Sequence, residues 1–107
     1  MRSRIAYAMI AASMLAGCAG AIIKDKMASL AGQPINAAID KLGFPTEQTE
    51  IAGRKVYIWS SRSFVEGTSY ECKIRAIVDD HDTIINWDFE GNEGGCQRYA
   101  ARLWRSS

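Results

Sequence analysis

A single histidine, His81, is all that this 107-residue chain carries. A zinc site built from several histidines is therefore excluded. A catalytic triad or a Cys–His dyad would have to rest on a residue inside Asp79-Asp80-His81-Asp82, a stretch that reads as an acidic turn, and a solvated turn residue is the simpler reading. Asp80-x-Asp82 opens like a calcium loop, but Ile84 stands at the next ligand position and the required glycine is missing. Gly91-Asn92-Glu93-Gly94-Gly95 lacks the lysine and hydroxyl residue of a phosphate loop, and Glu93 would repel phosphate. Glu71 and Glu90 fall on neighbouring strand segments, yet carboxylates on an exposed sheet face are not desolvated enough to serve as a tuned acid–base pair. The chain reads as a non-enzyme with no metal, no cofactor and no evident small-molecule substrate. Charge of one sign is lacking too: 13 basic residues stand against 12 acidic ones, which gives no pull toward nucleic acid. No apolar run approaches the roughly 20 residues that span a bilayer as a helix, and there is no internal repeat or low-complexity tract.

What is present begins with an odd number of cysteines, Cys18, Cys72 and Cys96. In an exported chain an odd count leaves one thiol over. The residues before Cys18 account for it. Met1-Arg2-Ser3-Arg4 is short and basic, Ile5 to Met14 is apolar or small apart from Ser13, and small residues follow at Ala16 and Gly17. This is the layout of a secretory signal peptide. Leu15-Ala16-Gly17-Cys18 resembles the bacterial lipobox, in which the cysteine is lipidated and becomes the mature N-terminus. The expected division is a removed signal peptide over 1–17, a lipidated N-terminus and tether over 18–26, and one domain over 27–107. Two or more acyl chains anchor a protein stably, so the expected partner is a membrane reached through lipid on Cys18. Ala19 stands where an aspartate would, by that resemblance, retain the protein in the inner membrane, which points to the outer membrane with the domain facing the periplasm.

With Cys18 taken by lipid, Cys72 and Cys96 remain as an even pair in an oxidising compartment. A disulfide would close a loop of about 25 residues and stabilise the domain by about 3.5 kcal/mol in the chain-entropy model. Two free thiols are the alternative, and they fit an exported chain less well. Removal of 1–17 leaves 90 residues with 11 basic and 12 acidic side chains, one small domain for which a covalent staple is useful.

Along the domain, Met27 to Ala31 reads as a short helical turn ended by Gly32. Ile35, Ala38, Ile39 and Leu42 follow the i, i+3, i+4, i+7 spacing of an amphipathic helix, with Pro34 at its start, Gly43 as its cap and Pro45 beyond. Glu47 to Ile51 is a candidate edge strand, Ala52-Gly53 a hairpin turn, and Arg54 to Ser61 a strand rich in β-branched and aromatic residues. Arg62 to Gly67 reads as a loop. Thr68 to Val78 and Thr83 to Glu90 alternate in polarity. A four-residue turn over 79–82 would set Ile74 opposite Trp87, Cys72 opposite Phe89 and Ala76 opposite Ile85, with Lys73 facing Asp88 on the other side; a slip by one residue would destroy both patterns. Cys96 to Trp104 can form a helix. The expected fold is α+β: an antiparallel meander of three or four strands with helices on one face and a C-terminal helix stapled by the disulfide.

The segments "SLAGQPINAAIDKLGFP", "VYIW" and "SYECKIRAIVDDHDTIINWDFEGN" resemble the SmpA/OmlA family of small bacterial outer-membrane lipoproteins, whose members include the E subunit of the β-barrel assembly machine. The matching positions are Gly32, Leu42-Gly43 and Pro45, then Tyr57 and Trp59, then Ile84 to Asp88. The resemblance covers roughly residues 29–92 and implies the fold more directly than the task. Proteins that inhibit β-lactamase have a similar helix-plus-sheet unit and bind through an exposed sheet face.

Two surfaces stand out as candidates for binding. The sheet face opposite the helices would carry Lys73, Arg75 and Asp88 around an apolar spot formed by Ile77 beside Ile84, a docking site for an unidentified envelope protein; ordinary solvation of that face is the alternative. Arg98, Arg102 and Arg105 share one side of the last helix and could meet anionic lipid headgroups, or simply form a solvated helix face. Of the aromatics, Trp59 and Trp87 are expected in the core and Phe64 at the surface. The functional expectation is a lipid-anchored periplasmic interaction module, a structural or accessory subunit of an envelope complex, with a binding or inhibitory lipoprotein that blocks an enzyme or effector as the second reading.

Overall fold

The computed structural model describes residues 18–105, so the signal-peptide reading of 1–17 lies outside the described residues. Helix α1 spans Cys18–Leu30 and helix α2 Ile35–Leu42. Four strands follow, β1 Glu47–Ile51, β2 Arg54–Val65, β3 Thr68–Val78 and β4 Ile84–Gly91, and helix α3, Glu93–Arg105, closes the described chain. The strands form one antiparallel sheet in the order β1-β2-β3-β4. All three helices contribute to a single core on one face of that sheet, so the architecture is an α+β two-layer domain.

Residues 19–26 are not a tether. They form most of α1, because Ala19, Ile23, Met27 and Leu30 recur at helical spacing and each is buried. Ile23 and Met27 are fully enclosed, and burying side chains of that size is worth about 1.5–3 kcal/mol each. Lys24 and Asp25 ride on the solvent side, Lys26 lies half-buried over Trp104, and the three mask the stripe when the sequence is read alone.

Helix α2 ends as its sequence suggests. Gly43 takes φ 89° and ψ −175° while its N–H donates to the Ile39 carbonyl, a conformation open to glycine and costly for other residues. The last carbonyls of α2 are satisfied from outside the helix: Arg102 Nη1 donates to Leu42 O at 2.9 Å, and the buried indole of Trp59 donates to Gly43 O at 2.7 Å. A cation at a helix C-terminus also complements the dipole.

The first two hairpins of the meander use two-residue turns with two positive φ angles, Ala52-Gly53 (52° and 79°) and Glu66-Gly67 (51° and 80°), the type I′ geometry that matches strand twist. The second turn corrects the loop expected over 62–67. β2 continues to Val65 and pairs with β3 up to Val65↔Thr68. This outer part of the hairpin is exposed on both sides, so no burial pattern marks it as strand.

The β3–β4 register differs from expectation by two residues. Ile74 pairs with Phe89, Ala76 with Trp87, Lys73 with Glu90 and Arg75 with Asp88. A shift by two keeps Cys72, Ile74, Ala76, Trp87 and Phe89 on the helix side. Between Ile77 and Val78 the register slips again, so that Ile77 faces Asn86 while Val78 faces Ile84. Ile85 is the extra residue of this bulge. The bulge turns Ile84 into the core at 1% exposure and leaves Ile85 45% exposed, the reverse of the expected orientation of these two side chains. Ile84 and Trp87 lie three apart and would fall on opposite faces of a regular strand; one inserted residue lets both point toward the helices. The segment between α1 and α2 then covers the start of β4: Gly32 N–H donates to Ile84 O at 2.8 Å and Ile84 N–H to Gln33 O at 2.9 Å.

Helix α3 begins three residues earlier than expected. Asn92 Oδ1 accepts the Gly95 N–H at 2.8 Å, as an N-cap does, and also the Glu71 N–H at 3.3 Å, while its Nδ2 donates to Ser69 O at 2.7 Å. Gly94 and Gly95 are therefore helical rather than slack. A Cβ on Gly94 would stand 2.6 Å from the Tyr70 ring, and one on Gly95 would overlap the Glu71 backbone. These glycines let the helix start lie directly on β3. There Cys72 and Cys96 form a disulfide, with Cα atoms 4.9 Å apart.

Candidate functional site: the open sheet face and the start of α1

The helices leave the other face of the sheet uncovered, and the register fixes what that face displays. Val56, Ile58, Ser60, Arg62 and Phe64 of β2 alternate onto it, as do Glu71, Lys73, Arg75 and Ile77 of β3 and Asn86, Asp88 and Glu90 of β4. Four of the five residues expected on this face, Lys73, Arg75, Ile77 and Asp88, are here together. The fifth, Ile84, is not, because the bulge turns it into the core. The apolar spot exists with a different membership: Ile77 pairs with Val56, which is 3% exposed and stands apart from the main core cluster, and Ile58 lies two residues along the same strand.

Charges of opposite sign are ordered around this spot. Arg75 Nε donates to Asp88 Oδ1 at 2.6 Å, and its Nη2 lies 3.9 Å from Glu90 Oε1. The hydrogen bond to Asp88 is the main reason that Arg75 holds its proton more firmly than an ordinary guanidinium; partial desolvation opposes this, and the charges of Asp88 and Glu90 add to it. Nearer the hairpin tip, Arg62 contacts Glu71 Oε2 through Nε at 3.2 Å and Nη2 at 3.1 Å. Exposed pairs of this kind contribute about 0–1 kcal/mol to stability. Their larger effect is to hold flat, oriented charge on a rigid surface. A shallow polar depression lies among Ser60, Arg62, Glu71, Lys73 and Glu90. At the tip, Phe64 is 72% exposed and Val65 stands out beside it; register places Phe64 on the open face.

The acidic turn is committed to its own backbone. Asp79 Oδ1 accepts the N–H of His81 at 2.8 Å and of Thr83 at 3.0 Å, and Asp82 Oδ1 lies 3.4 Å from Lys55 Nζ. Among the described residues no group of three His, Cys, Asp or Glu side chains converges as a metal site.

Cys18 is exposed in the first turn of α1. Beside it, Glu93 Oε1 accepts the Ala19 N–H at 2.7 Å. The arginine row on α3 is divided in use: Arg102 turns back to cap α2 and lies 5.9 Å from the Tyr99 ring centroid, while Arg98 and Arg105 are exposed. No helix among the described residues is long and apolar enough to cross a membrane. Sequence reasoning missed Val56 and Ile58 as open-face residues and Trp104 as a residue of the same groove that Cys18 lines. The alternation of β2 could have indicated the first two, since Tyr57 and Trp59 as core residues leave their neighbours facing outward. No family model, curated protein or solved structure matches the chain.

Proposed function

We propose that this chain is a lipid-anchored periplasmic interaction module, an accessory subunit of an outer-membrane assembly complex that docks through the open face of its sheet. The observation that carries the reading is that face itself: a rigid antiparallel surface with its backbone hydrogen bonds made, Ile58 and Ile77 as a half-exposed apolar centre over the buried Val56, and the Arg75–Asp88 pair beside it. Interfaces combine such a dry centre with a polar rim. The membrane half of the reading is supported by the resemblance of Leu15 to Cys18 to a lipobox behind a basic, apolar leader, and the assembly half by the resemblance of residues 29–92 to the SmpA/OmlA family.

The projecting β2–β3 tip favours a second reading, an inhibitory module. Phe64 and Val65 form an exposed apolar pair on a two-stranded arm, the shape of an element that enters a cleft in an enzyme or effector. Crosslinking in intact outer membranes separates the two. β-barrel assembly components captured by the wild type and lost with Ile77→Asp support the first. A hydrolase or secreted effector captured by the wild type and lost with Phe64→Ala supports the second. A captured set that neither substitution alters sinks both. Lipidation is tested separately: labelled palmitate should enter the wild type and not Cys18→Ser.

A further inference from the structure

Helices α1 and α3 lie side by side and run in the same direction. Glu93 holds the Ala19 N–H at one end, and at the other the Lys26 ammonium stands 5.3 Å from the centroid of the Trp104 ring. On the side away from the sheet, the two helices leave a shallow, largely apolar groove in which Ala19, Ile22, Ala100 and Trp104 are joined by two polar side chains, Gln97 and Glu93, the latter already holding the Ala19 N–H. Trp104 is 63% exposed there. Two further observations say what meets this face. The first is charge. The two helices carry five basic residues against two acidic ones, whereas residues 31–92 carry six basic against ten acidic; none of the five lines the groove itself, Arg102 being turned to α2, while Lys26 stands at its edge over Trp104. The second is the chain that precedes it. The apolar run of residues 5–14 leads into Cys18, which lines one end of the groove, so the lipid-anchored reading puts acyl chains at this point.

We infer that the outer face of the α1–α3 pair lies flat on an anionic membrane surface, with Trp104 as a second contact point at the opposite end of the helix pair from Cys18. The inference rests on the lipid-anchored reading and adds an orientation to it. From Glu93 to Trp104 the helix rise is about 16 Å, so Cys18 and Trp104 mark two separated points on one face, and two points limit rocking in a way that a single lipid does not. An exposed indole favours the headgroup level. Lys26 holds its ammonium over the ring, which sets a cation beside the indole at the same level, and basic residues near the surface are drawn to anionic lipid. Because the helices cover one side of the sheet, this placement turns the open face bearing Ile77 and Arg75 away from the membrane, toward a partner.

The test uses full-chain protein extracted from membranes and reconstituted in vesicles of phosphatidylethanolamine and phosphatidylglycerol containing brominated lipid. Bromine quenches tryptophan only at contact range. Trp59 is 1% exposed and Trp87 lies between sheet and helices, so quenching should be clear in the wild type and largely lost in Trp104→Phe, whose native circular dichroism is checked first. Replacing phosphatidylglycerol with phosphatidylcholine should weaken the quenching. Protein that fails to float with the vesicles, or that floats with quenching unchanged by Trp104→Phe, overturns the inference. The mass of the extracted protein reports acylation independently: a mass without acyl chains removes the lipid reading, and the quenching still decides the orientation of the face.

Discussion

Glu93 Oε1 accepts the main-chain N–H of Ala19 at 2.7 Å, across 74 residues of sequence. The first turn of one helix is thus closed by a carboxylate from the first turn of another. The N-terminal N–H groups of a helix lack intrahelical acceptors, and an anion there also meets the positive end of the helix dipole. Glu93→Ala should lower stability by about 0.5–2 kcal/mol, the range for loss of a helix N-cap. Glu93→Gln, which keeps an oxygen acceptor, should lose less. The urea midpoint at constant slope measures both, and equal losses would show that the carboxylate does not cap α1.

The Cys72–Cys96 disulfide ties the start of α3 to the middle of the sheet. Non-reducing peptide mapping should recover the two peptides joined. Replacing either cysteine should cost about 2–5 kcal/mol, read from thermal or urea unfolding. Two alkylatable thiols at these positions in protein isolated under oxidising conditions would be the contrary result.

Gly94 and Gly95 are adjacent and both helical, yet they should respond differently to alanine. At Gly94 the added methyl meets the Tyr70 ring, a side chain that can turn aside, and alanine is the better helix former by about 1 kcal/mol. At Gly95 it meets the Glu71 backbone, which is held by β2 on one side and by Asn92 on the other. Gly94→Ala should therefore be near neutral and Gly95→Ala should cost about 1–3 kcal/mol, the usual penalty of overpacking. Equal effects would mean that α3 does not sit as closely on β3 as these contacts require.

Hydrogen bonds from Thr83 and then His81 hold the Asp79 carboxyl below its ordinary value, assisted by the His81 charge and opposed by desolvation. A carboxyl whose folded-state pKa is depressed stabilises the fold above its unfolded value of about 3.9. That contribution is lost as pH falls through the folded-state value. Asp79→Asn keeps an oxygen for the same N–H groups but cannot ionise. Its acid limb in a plot of melting temperature against pH should be shallower than that of the wild type, with the curves converging at the acid end. Parallel limbs would place the acid sensitivity elsewhere.

The legible parts of the sequence were those in which one face is buried and the other wet. Ile35, Ala38 and Leu42 marked α2, and the alternation of Cys72, Ile74, Ala76 and Val78 marked the core side of β3. The β2–β3 arm was not legible beyond Ser61 because it is exposed on both sides, so periodicity had nothing to record. Helix α1 carried its stripe of Ala19, Ile23, Met27 and Leu30 in plain view, but the resemblance of the residues before it to a lipobox suggested a tether, and that reading outweighed the pattern. Gly94 and Gly95 looked like slack because their use, a close approach to Tyr70 and Glu71, depends on residues more than twenty positions away. On the open face, Lys73, Arg75, Ile77 and Asp88 were placed correctly, since a register error of two residues preserves the face. Ile84 was not, since a bulge changes the count by one.

That bulge yields the sharpest contrast available in this chain, because Ile84 and Ile85 are chemically identical neighbours with opposite environments. Ile84 is 1% exposed, faces Val78 across the ladder and belongs to the main core cluster. Ile85 is 45% exposed. Truncating a buried isoleucine removes its transfer free energy and leaves a cavity, together about 2–5 kcal/mol. Truncating a surface side chain away from special features changes stability by about 0.5 kcal/mol or less. Ile84→Ala should therefore lower the urea midpoint substantially at unchanged slope, while Ile85→Ala should leave it nearly in place. A regular strand without the bulge, in the register expected from a four-residue turn, predicts the opposite order, because Ile85 would then face Ala76 inside the core and Ile84 would stand beside Ile77 on the open face. The two measurements thus decide between the ladders. They also decide whether the apolar centre of the proposed docking face is Ile77 with Val56 or Ile77 with Ile84.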